Sequence, residues 1–207
     1  MYSLKRKIPY YNDLYVEEIK NLNNDKVDFF SVYTYEKKNH VACESTLTES
    51  FYEIFKNIQS SKNDVFMDCG SGLGHILYRA SSLFDKIYGV EYHPDVYKIA
   101  KNNLEVLNVK NCTLINSDIL DIDEKILDEV NVFYLFNPFT GDIFEKFISN
   151  IVASIKRRDR KVLIIYLNVQ CKDMFEKYSD ILPLHEIRMV RKPVHYYLHK
   201  SNGVKNG

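Results

Sequence analysis

An acidic residue and three alternating glycines lie together at residues 65–74, and they give the strongest chemical signal in the chain. The segment reads VFMDCGSGLG. Its apolar start predicts a buried strand, and the glycines allow a sharp turn whose backbone N–H groups approach a ligand closely. Helix-forming residues follow from His75 to Ala80. Strand, glycine turn and helix predict the first unit of a nucleotide-binding α/β sheet, with its ligand beyond the carboxyl end of the strand.

The glycine spacing distinguishes this turn from a phosphate-binding loop. A dinucleotide fingerprint has the spacing G-x-G-x-x-G and holds a pyrophosphate on the helix N-terminus. Here the spacing is G-x-G-x-G, and Asp68 lies two residues before Gly70. A carboxylate at that place disfavours phosphate and suits a ligand that carries an ammonium group. S-adenosylmethionine is such a ligand, because it has an amino-acid tail, a sulfonium and an adenosine but no phosphate.

A second acid ends the next predicted strand, Lys86 to Glu91. Glu91 follows Asp68 at close to the spacing of roughly 20 residues at which a carboxylate accepts hydrogen bonds from ribose hydroxyls. We expect Glu91 to bind ribose and Tyr92 to offer a face to adenine. The alternative is that Glu91, followed by His93, only begins the next helix.

The third and fourth predicted strands also end in polar residues. Cys112 to Ile115 leads to Asp118 and Ile119, which we expect to contact adenine, although the acids that follow also fit a solvated loop. The fourth strand, Val132 to Phe136, stops at Asn-Pro-Phe, residues 137–139. This placement predicts Asn137 and Phe139 at the mouth of the sheet, where Asn137 orients a methyl acceptor and Phe139 stacks on it or shields it. An ordinary strand-ending turn is the alternative.

These motifs together resemble those of the class I S-adenosylmethionine-dependent methyltransferases, over roughly residues 45 to 200. The resemblance is carried by residues 68–74, Gly89-Val90-Glu91, Ser117-Asp118 and Asn137-Pro138-Phe139. It implies that Glu91 holds the ribose and Asp118 the adenine of the cofactor. It also implies that an acid and the glycine turn hold the methionine part, namely Asp68, Gly70, Ser71, Gly72 and Gly74.

The Asn137-Pro138-Phe139 segment resembles a shortened form of the Asn-Pro-Pro-Phe/Tyr motif of amino-group methyltransferases. In that family the Asn and the following carbonyl bind the target nitrogen. Asn137 is accordingly expected to be both a catalytic residue and a neighbour of the cofactor. The second proline of the family motif is missing here.

Alternating apolar patterns predict a single doubly wound α/β domain over residues 45–200. We expect a mostly parallel seven-stranded sheet, closed by an antiparallel C-terminal hairpin strand. A helix opened by Ser50-x-x-Glu53 precedes the first strand, and Thr46 at its entrance is expected to face the carboxylate of the methionine tail. Residues 1–44 are expected to form a helical cap, and residues 201–207 a flexible tail. His75, directly after the last glycine, is expected to be a partly exposed first-turn residue.

Composition limits which binding partners and which cellular compartment are expected. The 207 residues carry 28 basic and 28 acidic side chains, so a nucleic-acid partner is expected to be unlikely. The four cysteines lack C-x-x-C spacing, and neither a signal segment nor a membrane-length apolar run is present, so we expect a cytoplasmic protein. The histidines show no metal-ligand spacing with the cysteines, and no metal site is predicted.

The sequence therefore predicts a methyltransferase that acts on a small-molecule or peptide acceptor, at nitrogen or oxygen. The pattern specifies neither the acceptor nor the oligomeric state. A protein-lysine methyltransferase on the same fold is an alternative, although those enzymes carry Asn-Asn where this chain has Asn137-Pro138. A non-catalytic module that binds S-adenosylmethionine is the alternative from a different functional class.

Overall fold

Seven strands form one sheet in the computed structural model, which describes residues 26–29, 48–58, 60–187 and 194–201. The strands are β1 (Val65–Cys69), β2 (Lys86–Glu91), β3 (Cys112–Asn116), β4 (Val132–Phe136), β5 (Val162–Leu167), β6 (Leu184–Ile187) and β7 (Val194–His199). Their order across the sheet is β3-β2-β1-β4-β5-β7-β6. The first five strands are parallel, whereas β7 pairs antiparallel with both β5 and β6. This arrangement confirms the predicted doubly wound sheet and its antiparallel hairpin.

Helices lie on both faces of the sheet. They are α1 (Thr48–Asn57), α2 (His75–Ala80), α3 (Pro94–Val106), α4 (Glu124–Glu129) and α5 (Gly141–Arg157), with short 3₁₀ helices at Ile119–Asp121 and Lys172–Tyr178. Helix α1 begins two residues before Ser50, so Ser50 lies inside the helix that it was expected to cap. Among these helices, none is both long enough and apolar enough to traverse a lipid bilayer.

Two aromatic cores lie on opposite faces of the sheet. Successive strand residues point to opposite faces, so Phe133 joins one core and Tyr134 the other. Phe147 of α5 packs in the first core, and Phe51 of α1 packs in the second. Helices on both faces bury β5 completely and all of β4 except its last residue, Phe136, which explains why both strands read as continuous apolar runs.

The order of the strands predicts where a ligand would bind. Strands β1 and β4 are neighbours at the centre, and the chain winds outward from them in opposite directions. In open α/β sheets, ligands bind at the carboxyl ends of the strands where the winding direction switches. The glycine turn after β1 and Asn137 after β4 therefore emerge at this point. Most of the expected cap and tail, residues 1–25, 30–44 and 202–207, lies outside the described residues.

Candidate cofactor and acceptor site

The glycine turn, residues 70–74 and called here the glycine loop, has left-handed backbone geometry at every glycine. The φ angles are +89°, +53° and +83° at Gly70, Gly72 and Gly74. A side chain at such angles is strained, and glycine avoids this cost. The N–H groups of Gly70 and Ser71 both donate to the carbonyl oxygen of Val90, each over 2.9 Å. These bonds fix the loop against the end of β2.

Glu91 connects the glycine loop to the ends of β2 and β3. Its carboxylate is buried and accepts hydrogen bonds from the backbone N–H of Gly72 over 2.9 Å and from that of His93 over 2.8 Å. The Asn116 side-chain amide donates to the carbonyl oxygens of Glu91 and Tyr92, over 2.8 and 3.1 Å. Tyr92 is 37% exposed at this edge. The acid expected to bind ribose therefore has a fixed orientation beside the loop.

Asp68 is a buried carboxyl group close to a second one. It is 4% exposed and lies in β1 between Gly89 of β2 and Tyr134 of β4. Burial raises the pKa of Asp68 well above its usual value, and the negative charge of Glu91 raises it further. A cation bound beside Asp68 would favour the ionised carboxylate. The contact between Asp68 and an ammonium group stays a prediction.

Asn137 has two unusual features at the end of β4. Its φ angle is +44°, in the left-handed region, and its side chain is 7% exposed. Its Oδ1 atom is buried and accepts no hydrogen bond from the described residues, and the Ser71 hydroxyl is likewise unpartnered. A buried polar atom without a partner costs roughly 1–3 kcal/mol, so both atoms are suited to a bound ligand. Pro138, the next residue, lies directly against Gly70.

The two residues expected to contact adenine lie just beyond β3. Asp118 is half-buried, and its carboxylate accepts a hydrogen bond from the N–H of Leu120 over 3.1 Å at the start of a 3₁₀ helix. Ile119 is buried within the core under α5. The structure thus gives Asp118 a capping role, and the adenine contacts remain predictions. Thr46 lies outside the described residues.

Phe139 is a core residue in this structure rather than an open face at the mouth of the sheet. It is 4% exposed, and its ring meets the Phe147 ring edge-on with 5.5 Å between centroids. Phe144 lies on another side, with its ring centroid 6.1 Å from that of Phe139. The observed role is packing, and stacking of Phe139 on an acceptor stays a prediction.

Sequence reasoning missed the surroundings of the first helix after the loop. His75 was expected to be partly exposed, but it is buried, and its ring centroid lies 5.0 Å from that of Phe29. Asn103 of α3 carries no signal in the sequence, yet it is fully buried and donates to the carbonyl oxygen of Leu73 in the glycine loop over 2.9 Å. These contacts join residues far apart in the chain, which periodicity does not encode.

Known proteins resemble this chain in both sequence and structure. The family model described as a methyltransferase domain matches residues 60–180, more than half of the chain. A probable cobalt-precorrin-6B C(15)-methyltransferase (decarboxylating) of Methanocaldococcus jannaschii is 23% identical over 145 residues, which cover 65% of this chain and 78% of that protein. An rRNA adenine N-6-methyltransferase of Limosilactobacillus reuteri is 30% identical over 86 residues, which cover 41% of this chain and 34% of that protein.

A solved structure shares the fold. It is an RNA methyltransferase of Salinibacter ruber in complex with S-adenosyl-L-homocysteine, with a TM-score of 0.54 and 17% identity. The superposition covers 78% of this chain and 97% of that protein. The carboxyl ends of the strands in the present structure carry the loop and acids described above.

The expectation that nucleic acid is an unlikely partner was wrong. Two of the three similar proteins are named as methyltransferases of rRNA or RNA. Net charge is a sum over the whole chain, and a sum of zero does not describe the surface around one site. The match to the methyltransferase domain over residues 60–180 also settles the class of protein. The chain therefore belongs to the class I S-adenosylmethionine-dependent methyltransferases, as its motifs predicted.

Proposed function

We propose that this enzyme transfers a methyl group from S-adenosylmethionine to a nitrogen atom of a planar, amino-bearing acceptor held at Asn137. The observation that carries the proposal is the Oδ1 atom of Asn137, which is buried next to Pro138 and the glycine loop and accepts no hydrogen bond from the part of the chain that the structure describes. An amide oxygen in this state accepts a hydrogen bond from an incoming N–H group at no cost in lost protein contacts.

The cofactor residues follow from the polar groups around the loop. In this proposal Asp68 accepts the ammonium group, the backbone of the glycine loop surrounds the methionine tail, and Glu91 accepts the ribose hydroxyls. Ser71 offers its unpartnered hydroxyl to the same ligand. The remaining predicted contacts come from Thr46, Tyr92, Asp118 and Ile119. S-adenosylmethionine supplies a methyl carbon made electrophilic by its sulfonium.

In this proposal Asn137 binds and orients the methyl acceptor. Its Oδ1 accepts one N–H of the acceptor amino group, which directs the nitrogen lone pair away from Asn137 and toward the methyl carbon. Alignment of the two reacting atoms and exclusion of water supply most of the rate enhancement. The C–S bond breaks as the N–C bond forms, so the departing sulfur becomes a neutral thioether and needs no general acid. The methylated nitrogen is then positively charged, and it releases one N–H proton to solvent water.

The base amines of RNA are the first candidate acceptors. A base amine is planar and amino-bearing, and the relative with 30% identity is named for adenine N-6 methylation of rRNA. A tetrapyrrole is the second candidate, because the relative matched over the larger share of this chain is named as a precorrin methyltransferase. Transfer to a precorrin carbon would not use the Asn137 oxygen as described.

A labelling experiment tests the proposed acceptor. The full chain is incubated with methyl-tritiated S-adenosylmethionine and separate RNA, protein and small-molecule fractions of a cell extract, and labelled RNA is digested to nucleosides. We expect label in a base amine of the RNA fraction. Label mainly in protein would indicate the lysine-methylating alternative, and label in a tetrapyrrole the second candidate. Cofactor binding without label in any fraction would indicate a non-catalytic module.

Asn137→Gly gives the matched test of mechanism, because glycine adopts the left-handed backbone without strain. We expect turnover to fall by roughly 100-fold or more, with the Kd for S-adenosylmethionine within about twofold of the parent value. Asn108→Gly is the control, because Asn108 also has a positive φ, +56°, but lies at the end of α3. Full turnover in Asn137→Gly would overturn the assigned role.

A further inference from the structure

Residues 26–29, called here the N-terminal strap, pack directly on the glycine loop and the helix that follows it. Phe29 is 1% exposed, and its ring centroid lies 5.0 Å from that of His75 and 6.0 Å from that of Tyr78. Val27 is buried in the same apolar cluster as Leu73, a residue of the loop itself. The strap thus covers one side of the glycine loop.

One fully buried side chain holds the strap and the loop together. The Asn103 amide nitrogen donates to the carbonyl oxygen of Asp28 over 2.7 Å, and its Oδ1 accepts from the N–H of Asp28 over 3.0 Å. The same amide nitrogen donates to the carbonyl oxygen of Leu73 over 2.9 Å. A carboxamide has two N–H donors and one acceptor oxygen, and all three functions are used here.

We propose that Asn103 is a positioning residue that fixes the carbonyl of Leu73, couples the glycine loop to the docked N-terminal strap, and thereby raises affinity for S-adenosylmethionine. Leu73 lies between two glycines, Gly72 and Gly74, whose backbones have left-handed φ angles. Glycine itself imposes no such geometry, so contacts from outside the loop must select it. The bond to Leu73 is such a contact, and the strap keeps the Asn103 amide from rotating away.

Linkage gives the proposal a second consequence. If the docked strap favours cofactor binding, bound cofactor must favour the docked strap by the same factor. The proposal concerns the cofactor alone and does not depend on which acceptor is methylated. It can therefore fail while the proposed function stands, and the reverse also holds.

Calorimetric titration of the full chain with S-adenosylmethionine tests the first consequence. Asn103→Asp keeps the shape and the acceptor for Asp28 but removes both donated bonds, and Asn103→Leu removes all three. We expect the Kd to rise roughly tenfold or more in both variants. Lys101→Ala is the neighbouring control, because Lys101 is exposed on the same helix and pairs with Glu105 of that helix. Its Kd should stay within about twofold of the parent value.

A second control separates positioning from general loss of stability. Val152→Ala truncates a buried side chain of α5, in the core on the other face of the sheet from α1. It should lower the melting temperature without changing the Kd. If Asn103→Asp binds the cofactor as tightly as Val152→Ala does, Asn103 is a structural residue only and the proposal is overturned. Should Asn103→Leu not fold, Asn103→Asp and Phe29→Ala decide the question, since Phe29→Ala releases the strap and should also weaken binding.

Amide hydrogen exchange of the strap tests the second consequence. In the parent protein, saturating S-adenosylmethionine should slow exchange at residues 26–29 by roughly tenfold, the factor by which the coupling is expected to change affinity. In Asn103→Asp this added protection should disappear, even when the cofactor is saturating. If the rate of amide exchange at residues 26–29 of the parent protein is the same with and without cofactor, the coupling is contradicted, whatever Kd values the variants show.

Discussion

A Cβ atom placed on Gly70 would lie 2.5 Å from the Cβ atom of Pro138, which is closer than two such atoms can approach. The turn after β1 and the turn after β4 therefore touch with no room for one additional methyl group. At Gly74, in the same loop, the nearest atoms to such a Cβ are Ala100 Cβ and Leu104 Cγ, both at an ordinary 3.5 Å. The proposed cofactor loop and the proposed acceptor motif thus share one tight contact.

This contact predicts different effects for the same substitution at two glycines. Gly70→Ala combines a left-handed φ with a clash against Pro138, whereas Gly74→Ala has a similar φ and enough space. Backbone strain alone costs about 1–2 kcal/mol. We expect Gly70→Ala to raise the Kd for S-adenosylmethionine by roughly 100-fold and Gly74→Ala by roughly tenfold, measured by calorimetry.

A second-site change tests whether the clash is the cause. In the double variant Gly70→Ala with Pro138→Gly, the space is restored although the φ strain remains. Its Kd should return to about the value of Gly74→Ala. Equal effects of the two single substitutions, or no recovery in the double variant, would show that the close approach to Pro138 has no influence on cofactor binding.

The raised pKa of Asp68 predicts proton release on cofactor binding. Without a cation, burial and Glu91 keep the Asp68 carboxyl protonated to a higher pH than in the unfolded chain. A bound ammonium group favours the carboxylate, so affinity should rise with pH and level off above the raised pKa. Calorimetry in two buffers of different ionisation enthalpy should show release of a proton at a pH below that value.

The same shift has a consequence for stability. The folded protein binds more protons than the unfolded chain between the ordinary and the raised pKa of Asp68, so the free energy of unfolding should fall as pH rises through that interval. In Asp68→Asn this part of the pH dependence should vanish, together with the proton released on binding. Persistence of both in Asp68→Asn would assign them to another group.

The sheet and its polar strand ends could be predicted because local sequence determines them. Apolar runs that stop at an acid or an amide placed Asp68, Glu91 and Asn137 at the carboxyl edge, and the structure brings them to the ends of β1, β2 and β4. The contact between Gly70 and Pro138 could not be predicted in this way. It depends on the precise approach of two turns, which the spacing of residues within either turn does not determine.

The burial of individual polar residues could not be predicted from the sequence pattern either. Asn103 lies between Asn102 and Leu104 in an amphipathic helix, and nothing in that pattern distinguishes a buried Asn from a solvated one. His75 is covered by Phe29, which precedes it by more than 40 positions. Such long-range contacts appear only when the chain is folded, and they decide which polar groups lose water.

Glu91→Gln separates the charge of Glu91 from its shape. Glutamine keeps one oxygen to accept from the N–H of Gly72 or of His93, but it removes the negative charge that raises the pKa of Asp68. We expect fewer protons released on cofactor binding at a fixed pH, because more of Asp68 is already ionised. The Kd should rise roughly tenfold through weaker ribose contacts, and adenosine as the titrant should show a similar loss. An unchanged affinity for adenosine would remove the ribose assignment.

Arg160 is a stabilising residue remote from the site, and it predicts a loss of stability without a loss of affinity. Its buried guanidinium donates to the carbonyl oxygens of Leu127 over 2.6 Å and of Val130 over 3.0 Å, and burial lowers the pKa of Arg160 to about 10. Arg160→Met leaves these buried carbonyl oxygens without a hydrogen-bond donor. The free energy of unfolding in urea should therefore fall by about 2–4 kcal/mol. Arg160 precedes the amino end of β5, opposite the carboxyl edge, so the Kd for S-adenosylmethionine should stay the same. Arg158→Met, at an exposed position nearby, is the control and should change the free energy of unfolding by less than about 0.5 kcal/mol. Equal losses in the two variants would contradict the stabilising role given to the buried hydrogen bonds of Arg160.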